Sequence, residues 1–288
     1  MLENLKYILY KKFPITLRLH KNLYPNYSTG SLIKVLKSLG IQKGSCLFIH
    51  SSWSEFFNYQ GTPTQLIDAL LKEIGPDGTL AMPVFPINQD PNVIFDVRKT
   101  PSGAGLLSEL FRRYPNVKRS INIMHSVCAI GPLADYLTKD HHHSITAWDQ
   151  NSPYYRLKEI DALILGLGVG KHLSIATCLH CADSLLKDKL PFFSNIFKSE
   201  ITYQYRDYDN NINSHKMYVR VNNSIVDTKK VSKYMDKKRF IETRLSNLEI
   251  FCIPARYLID KTLELARQGV TIYTKPEPKK ELFIPFDK

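Results

Sequence analysis

The stretch DALILGLGVGKHLSIATCLHCAD, residues 161–183, has the pattern of a strand, a turn and a helix in direct succession. Residues 161–166 form an apolar run that predicts a buried strand, and the glycines of residues 166–170 predict a tight turn. Residues 175–187 then predict a helix. Ligand sites in α/β sheets lie at the carboxyl ends of strands. The stretch therefore indicates both a fold class and the place of a functional site.

The same order of strand and helix recurs earlier in the chain. Pro83 lies within one of the predicted strands and indicates an edge position or a bulge there. Alternating strands and helices favour an α/β fold with a central mixed sheet flanked by helices. Predicted strands cover residues 45–50, 79–85 and 126–131, and predicted helices cover residues 30–39, 63–74, 102–114 and 132–137.

From about residue 199 the pattern changes. Residues 201–222, ITYQYRDYDNNINSHKMYVRVN, alternate like antiparallel strands around a polar turn. Basic helical segments are expected next, followed by an amphipathic helix in residues 253–268 and a final strand in residues 270–275. We therefore expect an additional C-terminal antiparallel portion. The whole chain, residues 1–288, is predicted to form a single domain.

Composition and charge narrow the classes of partner. The 288 residues are 43% hydrophobic and carry 39 Lys and Arg against 27 Asp and Glu, a net charge of +12. Such a surface suits anionic partners. No zinc-finger spacing or RNA-binding signature accompanies the charge, so no nucleic-acid partner is expected. Assembly into a homo-oligomer stays open.

The apolar runs and the cysteines indicate the compartment in which the protein is expected. No apolar run approaches the roughly 20 residues of a membrane span, so no integral membrane segment is expected. The first 21 residues read as an amphipathic helix rather than a signal peptide. The five cysteines are odd in number and scattered, which favours a reducing, cytoplasmic location.

Two motifs overlap within residues 177–183. Cys178 and Cys181 form C-x-x-C, but a zinc site needs four ligands and the chain has no second pair. The adjacent histidines 141–143 point in different directions, so we expect no metal and interpret both thiols as packing residues. His180 and Asp183 form H-x-x-D, whose side chains share one face of a helix. That pair suits a base with an orienting carboxylate, and a solvated or capping pair is the structural alternative.

The order of several other stretches favours a functional role for H-x-x-D over a solvated or capping pair. The chain resembles the aminoglycoside 3-N-acetyltransferase family, whose antibiotic N-acetyltransferase fold is distinct from that of the GNAT acetyltransferases. The resemblance covers about residues 30–190, which hold the core motifs, and it is loose in the C-terminal third. The matching stretches are LKSLGIQKGSCLFIHSSW, PDGTLAMPVFP, FDVRKTPSGAGLLSELFRRYPNVKRS, HSVCAIGPLADYLTKDH, SPYYRL and LILGLGVGKHLSIATCLHCAD.

The resemblance implies acetyl-CoA or another acyl-CoA as donor and the amine of a sugar as acceptor. It assigns general-base catalysis in a direct transfer to His180, with Thr177 matching and Asp183 standing where the family has Glu. Many members also keep an acidic residue near the position of Ser174. For CoA, the resemblance implies residues in four short segments, namely His50, Ser51 and Ser52, Thr100 and Ser102, Arg119 and Ser120, and His125 and Ser126.

The chemistry of acyl transfer requires residues of the same kinds. An amine must lose a proton as it attacks a thioester, and a neutral imidazole accepts protons at neutral pH. The phosphates of CoA need cationic or N–H partners, for which Arg119, Lys118 and Arg98 are candidates.

The acceptor is predicted from charge. Aminoglycosides are polycations and need carboxylates around them, which a net charge of +12 and Ser174 disfavour. We therefore expect a nucleotide-linked amino sugar of surface-polysaccharide biosynthesis as acceptor. The alternative is an aminoglycoside 3-N-acetyltransferase that confers antibiotic resistance. An alternative of another class is a non-catalytic basic binding protein on the same fold.

Overall fold

The computed structural model describes residues 21–286, so the predicted N-terminal amphipathic helix lies outside the described residues. Twelve strands are found in this part of the chain. They are β1 (Cys46–Ser51), β2 (Thr79–Pro83), β3 (Phe95–Asp96), β4 (Lys118–Arg119), β5 (Val127–Ile130), β6 (Leu163–Leu167), β7 (Ser199–Arg206), β8 (Ile212–Val219), β9 (Ile225–Val226), β10 (Ile241–Leu245), β11 (Leu248–Pro254) and β12 (Tyr273–Lys275).

The α-helices are mostly short. Helix α2 begins with a capping box in which Thr62 and Gln65 bond each other's main-chain N–H, and Pro63 takes its first position. The helices are α1 (Thr29–Ser38), α2 (Pro63–Ile74), α3 (Leu106–Arg112), α4 (Ala134–Thr138), α5 (Pro153–Glu159), α6 (His180–Leu185), α7 (Pro191–Ile196), α8 (Lys229–Ser232) and α9 (Ala255–Arg267).

The central sheet has seven strands in the order β10-β11-β6-β1-β2-β5-β4. Strands β6, β1 and β2 are parallel, and the remaining pairs are antiparallel. Two small sheets, β3-β7-β8 and β12-β9, lie beside it. The predicted α/β class with a central mixed sheet and an antiparallel portion is confirmed. The predicted hairpin of residues 201–222 is confirmed as β7 and β8.

Both faces of the central sheet are buried. Along β1, Phe48 packs into one apolar core, and Leu47 and Ile49 pack into the other. Helices α5, α6 and α9 contribute to the first core, and helices α1, α2 and α3 contribute to the second. Because strands covered on both faces need continuous apolar runs, SCLFIH reads as unbroken rather than alternating. No helix within residues 21–286 combines the length and the apolar character needed to cross a membrane.

Predictions of local structure were wrong at several places. The basic helical segments expected after the hairpin are helical only over Lys229–Ser232, and β10 and β11 follow them. Strand β11 pairs antiparallel with β6, so the C-terminal portion completes the central sheet. Pro83 is neither on an edge strand nor in a bulge, because it ends β2 beyond the last residue paired with β1, Ala81. Helix α3 begins at residue 106 rather than 102, after Gly105 at φ 108°.

The pairing of β11 with β6 depends on a glycine. Gly166 lies opposite Phe251, and a Cβ atom added to Gly166 would lie 2.1 Å from a carbon of that buried ring. The aromatic ring therefore covers the main chain of β6 at the one position where no side chain intervenes.

We predict that Gly166→Ala lowers the free energy of unfolding by about 1–3 kcal/mol, because the ring must leave a packed position. Urea denaturation followed by circular dichroism measures the change. Gly30→Ala is the matched control, since its Cβ would meet only Ser28 Oγ at 3.7 Å, and it should leave stability unchanged or slightly raised. Equal stability of Gly166→Ala and the wild type would contradict the role given to this contact.

Candidate active site

The candidate site lies at one edge of the central sheet. The parallel strands β1, β2 and β6 all end at this edge, and β5 begins there because it runs antiparallel to β2. The loop that follows β6 has positive φ angles at His172, Leu173 and Ile175 as well as at two glycines. This loop leads into a 3₁₀ turn at Thr177–Leu179 and then into α6, whose first residue is His180. The helix predicted over residues 175–187 is therefore α-helical only over His180–Leu185.

His180 forms a hydrogen-bonded pair with Asp183. The distance between His180 Nδ1 and Asp183 Oδ2 is 2.8 Å, and the carboxylate side chain is only 4% exposed. The Tyr273 hydroxyl donates to the same oxygen at 2.8 Å. A carboxylate can only accept, so Nδ1 carries the ring proton and Nε2 keeps its lone pair. The predicted i, i+3 contact is therefore present, in the buried geometry of an oriented base rather than that of a solvated pair.

Arg220 packs against the face of the His180 ring. It directly follows β8, and its Nη1 lies 2.8 Å from His180 Nε2. Nη1 also lies 3.2 Å from Nδ1, and an atom this close to both nitrogens lies over the face of the ring. The tautomer of His180 therefore follows from the Asp183 contact alone.

Two further aromatic groups complete the surroundings. The Trp148 ring lies 4.9 Å from the His180 ring and 4.5 Å from the His125 ring, centroid to centroid. Within residues 21–286, Nδ1 of His125 and Nε1 of Trp148 are buried and have no hydrogen-bond partner. Both residues also line the adjoining cavity.

Burial keeps both histidines uncharged at neutral pH. Burial is the largest cause of a lowered pKa of His180, the Arg220 charge lowers the pKa further, and Asp183 opposes both. The pKa of His125 is lowered well below its ordinary value by burial and by the neighbouring His180 and Arg220. A neutral imidazole with a free nitrogen is the form that a general base needs.

A cavity of about 250 Å³ adjoins this group and carries His125, Trp148 and Arg220 in its wall. A second cavity of about 540 Å³ shares Val221, Asn222 and Ser224 with it. The cationic side chains in the described walls are Arg220, Lys198 and Lys275, and these walls contain no Asp or Glu. The remaining wall residues are Gln89, Met124, Ala147, Met217, Tyr218 and Val219 in the first cavity, and Asn195, Asn223, Ile225 and Pro276 in the second.

The structure brings only part of the predicted catalytic set together. His180 and Asp183 are in contact, whereas the Thr177 hydroxyl donates to the Ile175 carbonyl at 3.3 Å. Ser174, which the resemblance placed near an acidic position of the family, donates to the Lys171 carbonyl. Neither hydroxyl bonds the histidine pair in this arrangement.

Eight of the nine residues predicted to bind CoA fall into two groups, whereas His125, the ninth, lies in the cavity wall. The first group is buried. Arg119 donates to the Val84 carbonyl at 2.7 Å, to the Thr100 carbonyl at 2.5 Å and to Ser126 Oγ at 3.2 Å. Ser120 Oγ lies 2.8 Å from His141 Nδ1 and also accepts from a main-chain N–H. These donors are bonded within the protein, so the side chains of Arg119, Ser120 and Ser126 do not face a phosphate here.

The second group lies at the carboxyl end of β1. His50 and Ser51 are the last residues of that strand, and Ser52 follows with its hydroxyl 3.0 Å from that of Ser54. The loop that carries Thr100 and Ser102 approaches them, since a Cβ atom on Gly105 would lie 3.8 Å from the Ser51 carbonyl oxygen. Burial lowers the pKa of His50 to about 3, so this ring is also neutral.

Arg220, Tyr273 and Trp148 were not predicted from the sequence. Arg220 and Tyr273 lie 40 and 90 residues after their partners and in the region that resembles the family loosely. Trp148 is one of only two tryptophans in the chain, which is the sole signal that could have drawn attention to it.

Known proteins share both the sequence pattern and the fold. The profile of the family described as Aminoglycoside 3-N-acetyltransferase matches residues 48–266. The chain belongs to this family. Its match extends well beyond residue 190, into the part where the resemblance had been loose.

The curated relatives are matched over part of their length. Aminoglycoside N(3)-acetyltransferase IV of Salmonella sp is 35% identical over 159 residues, 54% of this chain and 58% of the relative. Aminoglycoside N(3)-acetyltransferase III of Pseudomonas aeruginosa is 30% identical, over 54% of this chain and 63% of the relative. The chain thus spans about three fifths of the length of these relatives.

Solved structures match over a larger share. Aminoglycoside acetyltransferase AAC(3)-IVa, as a mutant in complex with a gentamicin, gives a TM-score of 0.73 at 25% identity, covering 90% of this chain and 97% of that one. AAC-IIIb in a binary complex with CoASH gives 0.72 at 18% identity, covering 85% and 98%, and shows the fold alone. The comparisons favour the aminoglycoside alternative and give no support to a nucleotide-linked amino sugar.

The cysteines next to His180 are buried. Cys178 and Cys181 are fully inaccessible, and burial raises the pKa of both thiols. Across residues 21–286, no group of three or more His, Cys, Asp or Glu side chains is placed to hold a metal ion.

We predict that Cys178→Ala with Cys181→Ala retains acetyl transfer within about threefold, because buried thiols act as small apolar groups. Steady-state kinetics and elemental analysis of the purified protein measure this. An inactive yet folded double variant, or stoichiometric zinc in the wild type, would show that C-x-x-C is the functional motif.

Proposed function

We propose that this protein is an acetyl-CoA-dependent N-acetyltransferase that acts on the amine of an amino sugar, with His180 as general base. The supporting observation is the buried hydrogen-bonded series from Tyr273 through Asp183 to His180. That series leaves the lone pair of Nε2 as the acceptor of the proton.

A single base accounts for both proton transfers of the reaction. The amine nitrogen attacks the thioester carbon, a new C–N bond forms and the C–S bond breaks. The proton released by the amine passes to His180 Nε2 and then to the sulfur of the departing CoA. Asp183 stabilises the imidazolium that exists between the two transfers, which typically contributes to an acceleration of about 10²- to 10⁴-fold.

The residues at the carboxyl end of β1 are the proposed contacts of acetyl-CoA. His50 and Ser51 end β1, Ser52 follows them, and the loop that carries Thr100 and Ser102 lies near Ser51. Arg119 holds this loop by donating to the Thr100 carbonyl. Exposed Arg98, whose guanidinium lies 5.2 Å from the Tyr208 ring centroid, is the proposed phosphate partner.

The names of the relatives support aminoglycosides as the acceptor class. One observation supports a second candidate. The described cavity walls hold Arg220, Lys198 and Lys275 without a carboxylate, which suits an amino sugar that carries a negative group. A nucleotide-linked amino sugar is one such acceptor.

We predict that His180→Asn lowers kcat by about 10²- to 10⁴-fold while the fold is kept, because no other described side chain next to the cavity presents a neutral base oriented by a carboxylate. Release of CoA thiol is the assay, and circular dichroism checks the fold. His143→Asn is the matched control, since His143 is exposed, and should be fully active. Wild-type kcat in folded His180→Asn would refute the assignment.

We predict that aminoglycosides support thiol release and are acetylated on one amine, as mass spectrometry of the product would show. Amino sugars with and without a phosphate group, each assayed at two salt concentrations, test the second candidate. A higher kcat/KM for the phosphorylated acceptors that weakens with salt would favour that candidate. Absence of turnover with every amine would favour the non-catalytic binder.

A further inference from the structure

Four separate segments of the site meet on the indole ring of Trp148. Its centroid lies 4.5 Å from that of the His125 ring and 4.9 Å from that of the His180 ring. The Phe197 ring lies 6.0 Å away, and the guanidinium carbon of Arg220 lies 5.8 Å from the indole. These partners come from the loop before β5, from α6, and from the residues that directly follow α7 and β8. A shift of Trp148 would therefore disturb all four groups around the base.

The orientation of the His180 ring depends on packing as well as on hydrogen bonding. The contact with Asp183 limits where Nδ1 lies, but a hydrogen bond at one nitrogen does not stop the ring from tilting. The Trp148 ring, inclined by 47° to the imidazole, limits this tilt by contact. Because Nε2 moves when the ring tilts, Trp148 helps to place the atom that accepts the proton in the proposed reaction.

A buried histidine holds the main chain next to Trp148. His141 Nε2 lies 3.1 Å from the Ala147 carbonyl oxygen, and its Nδ1 lies 2.8 Å from Ser120 Oγ. A carbonyl can only accept, so Nε2 carries the ring proton. Burial lowers the pKa of His141 to about 3, so the ring is neutral and Nδ1 accepts from the Ser120 hydroxyl. Ser120 Oγ in turn accepts the Val127 N–H at 2.9 Å, which connects β5 to the main chain beside Trp148.

The Ser120–His141 pair has the composition of a nucleophile and its base, but its surroundings exclude that role. Both side chains are fully inaccessible, and neither lies in the wall of the two cavities beside the site. The Ala147 carbonyl already occupies His141 Nε2. The pair therefore acts through the main chain that it holds.

A second support reaches Trp148 from α6. Thr146 Oγ1 accepts the Trp148 N–H at 3.2 Å and lies 2.5 Å from Ser184 Oγ. Ser184 belongs to α6, the helix that begins with His180. The Asp149 carboxylate accepts the main-chain N–H groups of residues 145 and 146 and so shapes the turn before the indole. Trp148 is thus connected to β5 on one side and to the helix of the base on the other.

We propose that Trp148 is a positioning residue of the base, and that the Ser120–His141 pair and Thr146 hold its indole ring against the imidazole of His180. The inference rests on the proposed role of His180. It gives a role to Ser120 and His141, which are buried away from any cavity beside the site.

The first test needs no substrate. The chain has two tryptophans, Trp53 and Trp148, so Trp53→Phe leaves Trp148 as the sole source of indole fluorescence. In that background His141→Asn should shift the emission maximum to longer wavelength and increase quenching by acrylamide, because the shorter amide does not reach the Ala147 carbonyl. His141→Gln should keep the parent spectrum, since its amide can still donate to that carbonyl. His143→Asn, at an exposed neighbour, is the matched control and should change neither quantity.

The second test measures turnover of the same variants. His141→Asn should lower kcat on the order of 10²-fold, which is the cost of displacing a reacting group by about 1 Å. His141→Gln should restore most of kcat, and His143→Asn should be fully active. Thr146→Val removes the second support at nearly unchanged shape and should also lower kcat and shift the emission. This variant carries the test if His141→Asn does not fold.

Urea denaturation of each variant separates positioning from a purely structural role. A lower free energy of unfolding with unchanged emission and unchanged kcat in the folded protein would overturn the proposal. Equal loss of kcat in His141→Asn and His141→Gln would also overturn it, because the donor to the Ala147 carbonyl would then not matter. Failure of the proposed function is recognised separately, since His180→Asn would keep full activity while the emission of Trp148 would still report its position.

Discussion

One carboxylate oxygen, Oδ2 of Asp183, accepts hydrogen bonds from both His180 and Tyr273. The side chain is almost fully buried, and a buried carboxylate is tolerated only where its hydrogen bonds are satisfied. These two hydrogen bonds fix the orientation of the His180 ring and connect the last strand, β12, to helix α6. The orientation of the His180 ring and the contact between β12 and α6 therefore depend on the same oxygen atom.

The sheet explains why this atom can be placed so accurately. Strands β6 and β1 pair in parallel over five residues and are covered on both faces, so their carboxyl ends lie side by side. The loop after β6 holds three non-glycine residues with positive φ, and Glu242 of β10 accepts the main-chain N–H of His172. A costly local conformation persists when its surroundings over-determine it. Here β10, at the edge of the central sheet, provides part of those surroundings. The loop in turn positions the first residue of α6 beside the cavity.

The sequence allowed the α/β class, most element positions and the His180–Asp183 contact to be predicted, because each follows from local spacing. Side chains three or four residues apart on a helix meet whatever the rest of the chain does. Arg220 and Tyr273 could not be found in this way, since their contacts depend on how distant strands pack. The same reason explains Arg119, which looked like a phosphate ligand and instead bonds the Val84 and Thr100 carbonyls inside the protein. An arginine within a motif does not reveal the direction in which its side chain points.

These contacts give a physical reason for the presence of Asp183 where the family pattern has Glu. The carboxylate must meet a ring three residues earlier on its own helix and a hydroxyl that arrives from β12, both at 2.8 Å. A glutamate at this position would carry its oxygens one methylene further into the space that the Tyr273 hydroxyl occupies, in a region where side chains are closely packed. The shorter acid and the tyrosine are therefore complementary, and the pair should be understood as one unit. Asp183 bonds Nδ1, and the Arg220 guanidinium packs against the face of the same ring. Burial and the positive charge of Arg220 lower the pKa of His180, and Asp183 opposes them, so the ring stays neutral while its tautomer is fixed.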